Sequence, residues 1–226
     1  MLTHNPRVIQ LDEAVLHELV EDLTAEFVDA VRDSSLRFKP RSVILHDVAG
    51  REKRIKVGLK RVTKRHYYRE TIHGGMFDRS KKLVSLSAHV PSLARKLSLA
   101  TDPQVVFDGV AKEIRSVLVH ELTHVRDYLD SAKAERSRGR GAPFVSSAYI
   151  NAPHEVRAFG REIAEAVAEA VRRGDLDRSK PIGPEIARLA HKEGHPHHYY
   201  MMRDENKRRV LQLVTRYLDD LGLIEA

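Results

Sequence analysis

The chain has 226 residues, 42% of them hydrophobic, and a formal net charge of +7. That length can bury a sizeable core in one domain, or one with a small annex. The absence of cysteine excludes disulfides, thiolate metal sites and cysteine catalysis together. No apolar run approaches the roughly 18 residues of a membrane span, and the polar opening Met1-Leu2-Thr3-His4-Asn5-Pro6 is no secretory signal. The cytoplasm or the inside of a larger particle is the expected location, with no membrane partner.

Leu11, Val15, Leu19, Leu23, Phe27 and Val31 recur every four residues and predict an amphipathic helix over 11–33. Strands are expected at 42–48, 54–63, 66–73 and 82–89, with turns at Gly74-Gly75 and Asp78-Arg79-Ser80. Residues 51–69 hold nine Lys/Arg against one acid, Glu52, which is more positive charge than the whole chain carries net. Ile55, Val57, Leu59 and Val62 alternate with those charges, so the segment reads as strand. It is either a cationic surface for nucleic acid, an acidic partner or an acidic substrate, or an edge strand kept soluble by its lysines and arginines. The second reading is preferred.

Thr101-Asp102-Pro103 signals the start of a helix expected to run to about 130. Val117, Leu118, Leu122, Val125 and Leu129 form its apolar stripe, and His120-Glu121-Leu122-Thr123-His124 lies on it. A helix advances about 100° per residue, so His120 and His124 project from one face a turn apart, off that stripe. Two imidazoles so placed can share one Zn²⁺, while Glu121 can reach a water on the metal as general base. Asp127 shares the histidines' face, but helical rise puts it about 10 Å along from His120, too far to converge on the same ion. It either holds a histidine through its other ring nitrogen or is a surface carboxylate pairing with Arg126 or Lys133.

Residues 131–148, with Arg136, Arg138 and Arg140 among small residues, are expected as a loop that acts as a lid, a processing site or plain disorder. The run Tyr149-Ile150-Asn151-Ala152-Pro153-His154-Glu155-Val156-Arg157-Ala158 follows. Pro153 suits a first helical turn, and Val156, Phe159, Ile163, Val167 and Val171 keep a helical period to Gly174. Glu155 in that first turn is the expected third ligand of a four-coordinate zinc, with Ala158 small enough for close approach. His154 is the rival, pointing about 100° away, and an acid placed only to complement the helix dipole is the plain alternative. Further helices are expected at 183–192 and 204–221. Between them lies Gly194-His195-Pro196-His197-His198-Tyr199-Tyr200. His195, His198 and Tyr199, with Tyr149, are candidates for stabilising an oxyanion, against a polar interhelical connection.

His120, Glu121 and His124, with Glu155 in a Glu-x-x-Ala setting, resemble the gluzincin-type, thermolysin-like zinc metallopeptidases over about positions 72–160. The Asn-x-Pro-x-Glu-x-x-Ala form departs from the thermolysin form. The chain also resembles small peptidase-like proteins of bacteria and their phages. The resemblance implies one zinc per chain on His120, His124 and Glu155, with Glu121 activating water. It also implies a sheet edge beside the active helix on which an extended peptide pairs, here expected at Lys82–Ser87.

The expected fold is a single α+β, zincin-like domain over 1–226. An N-terminal helix and a small, mostly antiparallel sheet (about 40–90) precede the active-site helices (about 102–173) and a helical part (about 183–222). Zinc-dependent peptide hydrolysis is the expected function. The alternatives are a structural or assembly component that keeps a zinc site, and nucleic-acid-associated proteolysis resembling the SprT-like proteases, which use a third histidine where Glu155 stands here.

Overall fold

In the computed structural model, residues 13–33, 40–47, 49–63, 70–130, 147–193 and 196–224 are described. The chain divides into two compact units, 1–134 and 135–226. The first carries the expected α+β mixture, and in the second every element among the described residues is a helix.

The first unit opens with helix α1 (Glu13–Arg32). Strands β1 (Arg41–His46), β2 (Glu52–Val62), β3 (Ile72–Asp78) and β4 (Leu83–His89) follow. The strand order in the sheet is β1-β2-β4-β3. β1 pairs antiparallel with β2, and β3 antiparallel with β4, while β2 and β4 run parallel. The sheet is thus mixed, with β1 and β3 at its edges. β4 passes directly into helix α2 (Val90–Leu99), whose start is capped by the buried His89 through its Nδ1. Helix α3 (Pro103–Leu129) begins where Asp102 caps Gln104 N–H at 2.8 Å and Pro103 fills the first turn.

Alternation along the strands sorts the sheet into two faces. Ile55, Val57, Val84 and Leu86 are fully buried on the inner face. Leu16, Val20, Leu23 and Phe27 of α1 and Ile114, Leu118, Leu122 and Val125 of α3 belong to the same core. Burial at roughly 25 cal/mol per Å² of apolar surface makes this the main force holding the motif helix to the sheet. A bidentate pair, Arg115 Nε and Nη2 to Glu21 at 2.8 and 2.7 Å, ties α3 to α1 at the margin.

Three sequence expectations change here. Gly74-Gly75 forms no turn but lies inside β3, which starts at Ile72; residues 66–69 of the strand expected at 66–73 lie outside the described residues. Gly74 adopts φ +66°, a left-handed conformation open to glycine, where the pairing register with β4 shifts. Lys82–Ser87 is no sheet edge, because β4 is paired on both sides. Among the described residues β2 pairs with β1 over Glu52–Val57 and with β4 over Lys56–Val62, so Lys56 stands between two strands and guards no edge.

The second unit contains α4 (Ser147–Ile150), α5 (Pro153–Arg172), α6 (Ile182–Glu193), α7 (Pro196–Met201) and α8 (Asp204–Asp220). Ile163, Val167 and Val171 of α5, Ile186 and Leu189 of α6, and Val210, Val214 and Leu218 of α8 form its core. One buried ionic cluster sits in it. Arg161 pairs with Glu165 at 2.9 Å, lies 3.9 Å over the Tyr217 ring, and Tyr217 donates to the same carboxylate at 2.8 Å. Among the described residues, no helix is long and apolar enough to cross a membrane. The loop expected at 131–148 lies outside the described residues except for its last two, which open α4.

Candidate metal centre

The two motif histidines meet on α3, as the i, i+4 spacing requires. Their Nε2 atoms are 3.2 Å apart, with ring centroids at 4.9 Å and planes at 81°. Two nitrogens each about 2.0–2.1 Å from one tetrahedral metal lie about 3.3 Å apart. The pair therefore already has the separation that a shared ion demands. The same distance permits an N–H···N hydrogen bond between neutral rings. His120 is buried and His124 half-buried. Thr123 between them is fully buried and donates to Val119 O at 2.7 Å, so the motif leaves no unmet hydroxyl.

Glu121 is buried on the same helix. What lies against it is β3, the sheet edge on this side. A Cβ at Gly75 would stand 2.6 Å from Glu121 Cγ, 2.6 Å from Val117 Cγ1 and 2.9 Å from Glu121 Oε1. Only a residue without a side chain lets the strand come this close. Two further contacts hold β3 along α3. Glu113 Oε2 accepts the backbone N–H groups of Thr71 and Ile72 at 2.7 and 2.8 Å, its other oxygen bound to Lys96 at 2.8 Å. Phe77 packs edge-on against Tyr128, with centroids at 5.5 Å. Positions 113, 117, 121 and 128 thus form the ridge on which the strand rests.

Asp127 is 1% exposed, which removes the surface-carboxylate reading. Lys133, one of its expected partners, lies outside the described residues.

In the second unit Glu155 lies in the first turn of α5 at 3% exposure, behind Pro153 and next to the fully buried Ala158. His154 does not point away from it: its Nε2 is 3.3 Å from Glu155 Oε1. This corrects the expectation that the two side chains diverge. The start of α5 is fixed by Asn151, whose Oδ1 accepts from Arg203 N–H at 2.8 Å and Asn206 Nδ2 at 2.9 Å. Its Nδ2 donates to Ser147 O at 2.7 Å. Tyr149 on α4 packs half-buried against the helical core. Tyr199 belongs to that core, its ring 6.5 Å from His191, and burial raises its hydroxyl above the usual pKa. His195 lies outside the described residues, as does the side chain of His198 on α7.

Gly75, Glu113 and Asn151 escaped the sequence reading. A glycine inside a strand pattern does signal close backbone approach. Here two consecutive glycines shortly before Asp78-Arg79-Ser80 read more simply as a turn. Compared with family models, characterised proteins and solved structures, the chain matches none.

Proposed function

We propose that this chain is a zinc-dependent peptidase of the gluzincin type, with His120, His124 and Glu155 as metal ligands and Glu121 as general base. The observation that carries the proposal is the histidine pair, whose 3.2 Å Nε2 separation fits one tetrahedral ion. Two imidazoles and a carboxylate form a donor set able to hold a metal, and it is the His₂Glu set of catalytic rather than closed structural zinc. A fourth position is then left for water.

Zinc, when bound, supplies a Lewis acid that lowers the pKa of a water and polarises the scissile carbonyl. The chain's own residues do the rest. Glu121 accepts a proton from the attacking water and returns it to the leaving amine nitrogen. Its burial keeps bulk water from competing for that proton. β3, lying against Glu121, pairs with β4 alone among the described strands, and an extended peptide adds as a further strand on its other side. In this reading substrate alignment falls to residues 72–78, instead of the 82–87 segment.

Purified chain should contain about one zinc and cleave members of a broad peptide library. Cleavage should stop on chelation and return on adding zinc. A chain that binds zinc but cleaves nothing, with or without proteolytic nicking within 131–148, would favour a structural or assembly role.

A further inference from the structure

The nine cations of 51–69 do not form one patch. Lys64, Arg65 and Arg69 lie outside the described residues. Arg51 and Lys53 are engaged with the buried Asp47, at 2.8 and 3.6 Å. Arg61 shares the parity of the inner-face residues. Arg54, Lys56 and Lys60 remain, all exposed and all on the outer face of the sheet. Among the described residues none of these three has an ion-pair partner.

The register shows what surrounds them. Across the outer face run the rows Ile44–Arg54, Ser42–Lys56–Leu83–Asp78, Gly58–Ser85–Met76 and Lys60–Ser87. Two acids share this face, both at its margin. Glu52 opposite His46 closes one end. Asp78 is turned into its own loop, where it accepts from Ser80 Oγ at 2.6 Å and pairs with Lys81 at 3.2 Å. Among the described residues, the middle of the face therefore carries three cations and three hydroxyls with no opposing charge. At about 3.3 Å per residue, Arg54 to Lys60 covers about 20 Å.

We propose that this outer sheet face binds the sugar–phosphate backbone of a nucleic-acid duplex, without reading its sequence. Lysine, arginine and serine side chains are the groups that contact phosphate and sugar. Phe, Tyr and Trp, on which single-stranded bases would stack, are missing from the face among the described residues. A lipid surface is disfavoured because Met76 is the one large apolar side chain on this face counted as exposed, at 49%. Lys56 stands where β2 is paired on both sides, so edge protection does not account for its charge.

The test is the fluorescence anisotropy of a labelled DNA duplex of about 20 base pairs, titrated with the full chain at several salt concentrations. Three phosphate contacts give a log–log salt slope of about −2.7, or about 40-fold weaker binding between roughly 50 and 200 mM salt. Each of Arg54→Gln, Lys56→Gln and Lys60→Gln should reduce that slope by about 0.9. Lys192→Gln and Arg209→Gln, on exposed helices of the second unit, should leave it unchanged. Circular dichroism should show all five variants folded. Binding should persist after chelation of zinc and in Glu121→Gln, so this result stands apart from the fate of the peptidase reading. No binding at low salt, or an unchanged slope in the triple variant, would overturn the proposal. So would tighter binding of a single strand, or displacement by polyglutamate as effective as by unlabelled duplex; the last would mark an acidic protein surface as the partner.

Discussion

At position 155 a carboxylate is held almost out of solvent in the first turn of a helix, with an imidazole nitrogen 3.3 Å away. A buried carboxylate is costly unless it is hydrogen-bonded or holds a cation, and the helix N-terminus offsets only part of that cost. His154 and Glu155 are thus neighbours in space as well as in sequence, and the ligand question turns on which of them touches the metal. If Glu155 is the ligand, His154 acts by orienting it, as partners of metal-binding carboxylates do. Glu155→Ala should then lose most bound zinc, while His154→Ala should keep stoichiometric metal with affinity lower by about 10–100-fold. Metal content after dialysis against a graded chelator series measures both. Full zinc in Glu155→Ala together with its loss in His154→Ala would transfer the role to the histidine.

Among the elements, the contact of β3 with α3 matters most for the proposed chemistry, since it delivers a strand edge to Glu121. Gly75 has no positive φ, so alanine there costs nothing in the backbone and everything in the 2.6 Å contacts with Val117 and Glu121. Gly75→Ala should destabilise the chain by about 1–3 kcal/mol, the usual cost of overpacking. In a Glu121→Ala background the penalty should fall by at least about 0.5 kcal/mol, because residues in contact couple. Denaturant unfolding of the four chains of this cycle measures the coupling, and strict additivity would separate the strand from the general base.

In the second unit, the loop after α5 makes a prediction in pH. Asp177 accepts from Ser179 Oγ at 2.6 Å and pairs with Lys180 at 3.0 Å; the serine hydrogen bond, followed by that to Lys180, lowers its pKa from 3.8 to about 2. A carboxylate depressed in the fold contributes stability that is present above its unfolded pKa and is lost as pH falls through the folded value. Asp177→Asn should therefore melt a few degrees lower than the parent at about pH 6. The gap should close as pH falls from about 4 to about 2. A gap independent of pH would mean that the serine and backbone hydrogen bonds, not the charge, hold this loop.

For the molecule as a whole, what was legible from sequence was what is local. The His120/His124 spacing, the Asp102-Pro103 start of α3 and the Pro153 start of α5 all depend on residues within one or two turns, and these two helices lie where their patterns put them, whereas α2 and α7 were not expected. The sheet was less legible. Strand order β1-β2-β4-β3 and the parallel β2–β4 pairing depend on contacts between distant segments, and the bulged, glycine-bearing β3 carries no clean alternation. Gly75 is the clearest case, since its role exists only once Glu121 lies opposite it. The division into units falls between the helices that carry the proposed ligands. His120 and His124 lie on one side of that division in the chain and Glu155 on the other.

Glu121→Gln tests the central claim most directly, with zinc content and peptide cleavage measured on the same sample. The substitution keeps the side chain's size and its fit against Gly75, but an amide cannot take a proton from water. About one zinc per chain and near-native thermal stability are expected, with cleavage lower by about 10²–10⁴-fold, the range that positioned acid–base catalysis supplies. Cleavage at the parent rate with zinc in place would contradict the claim.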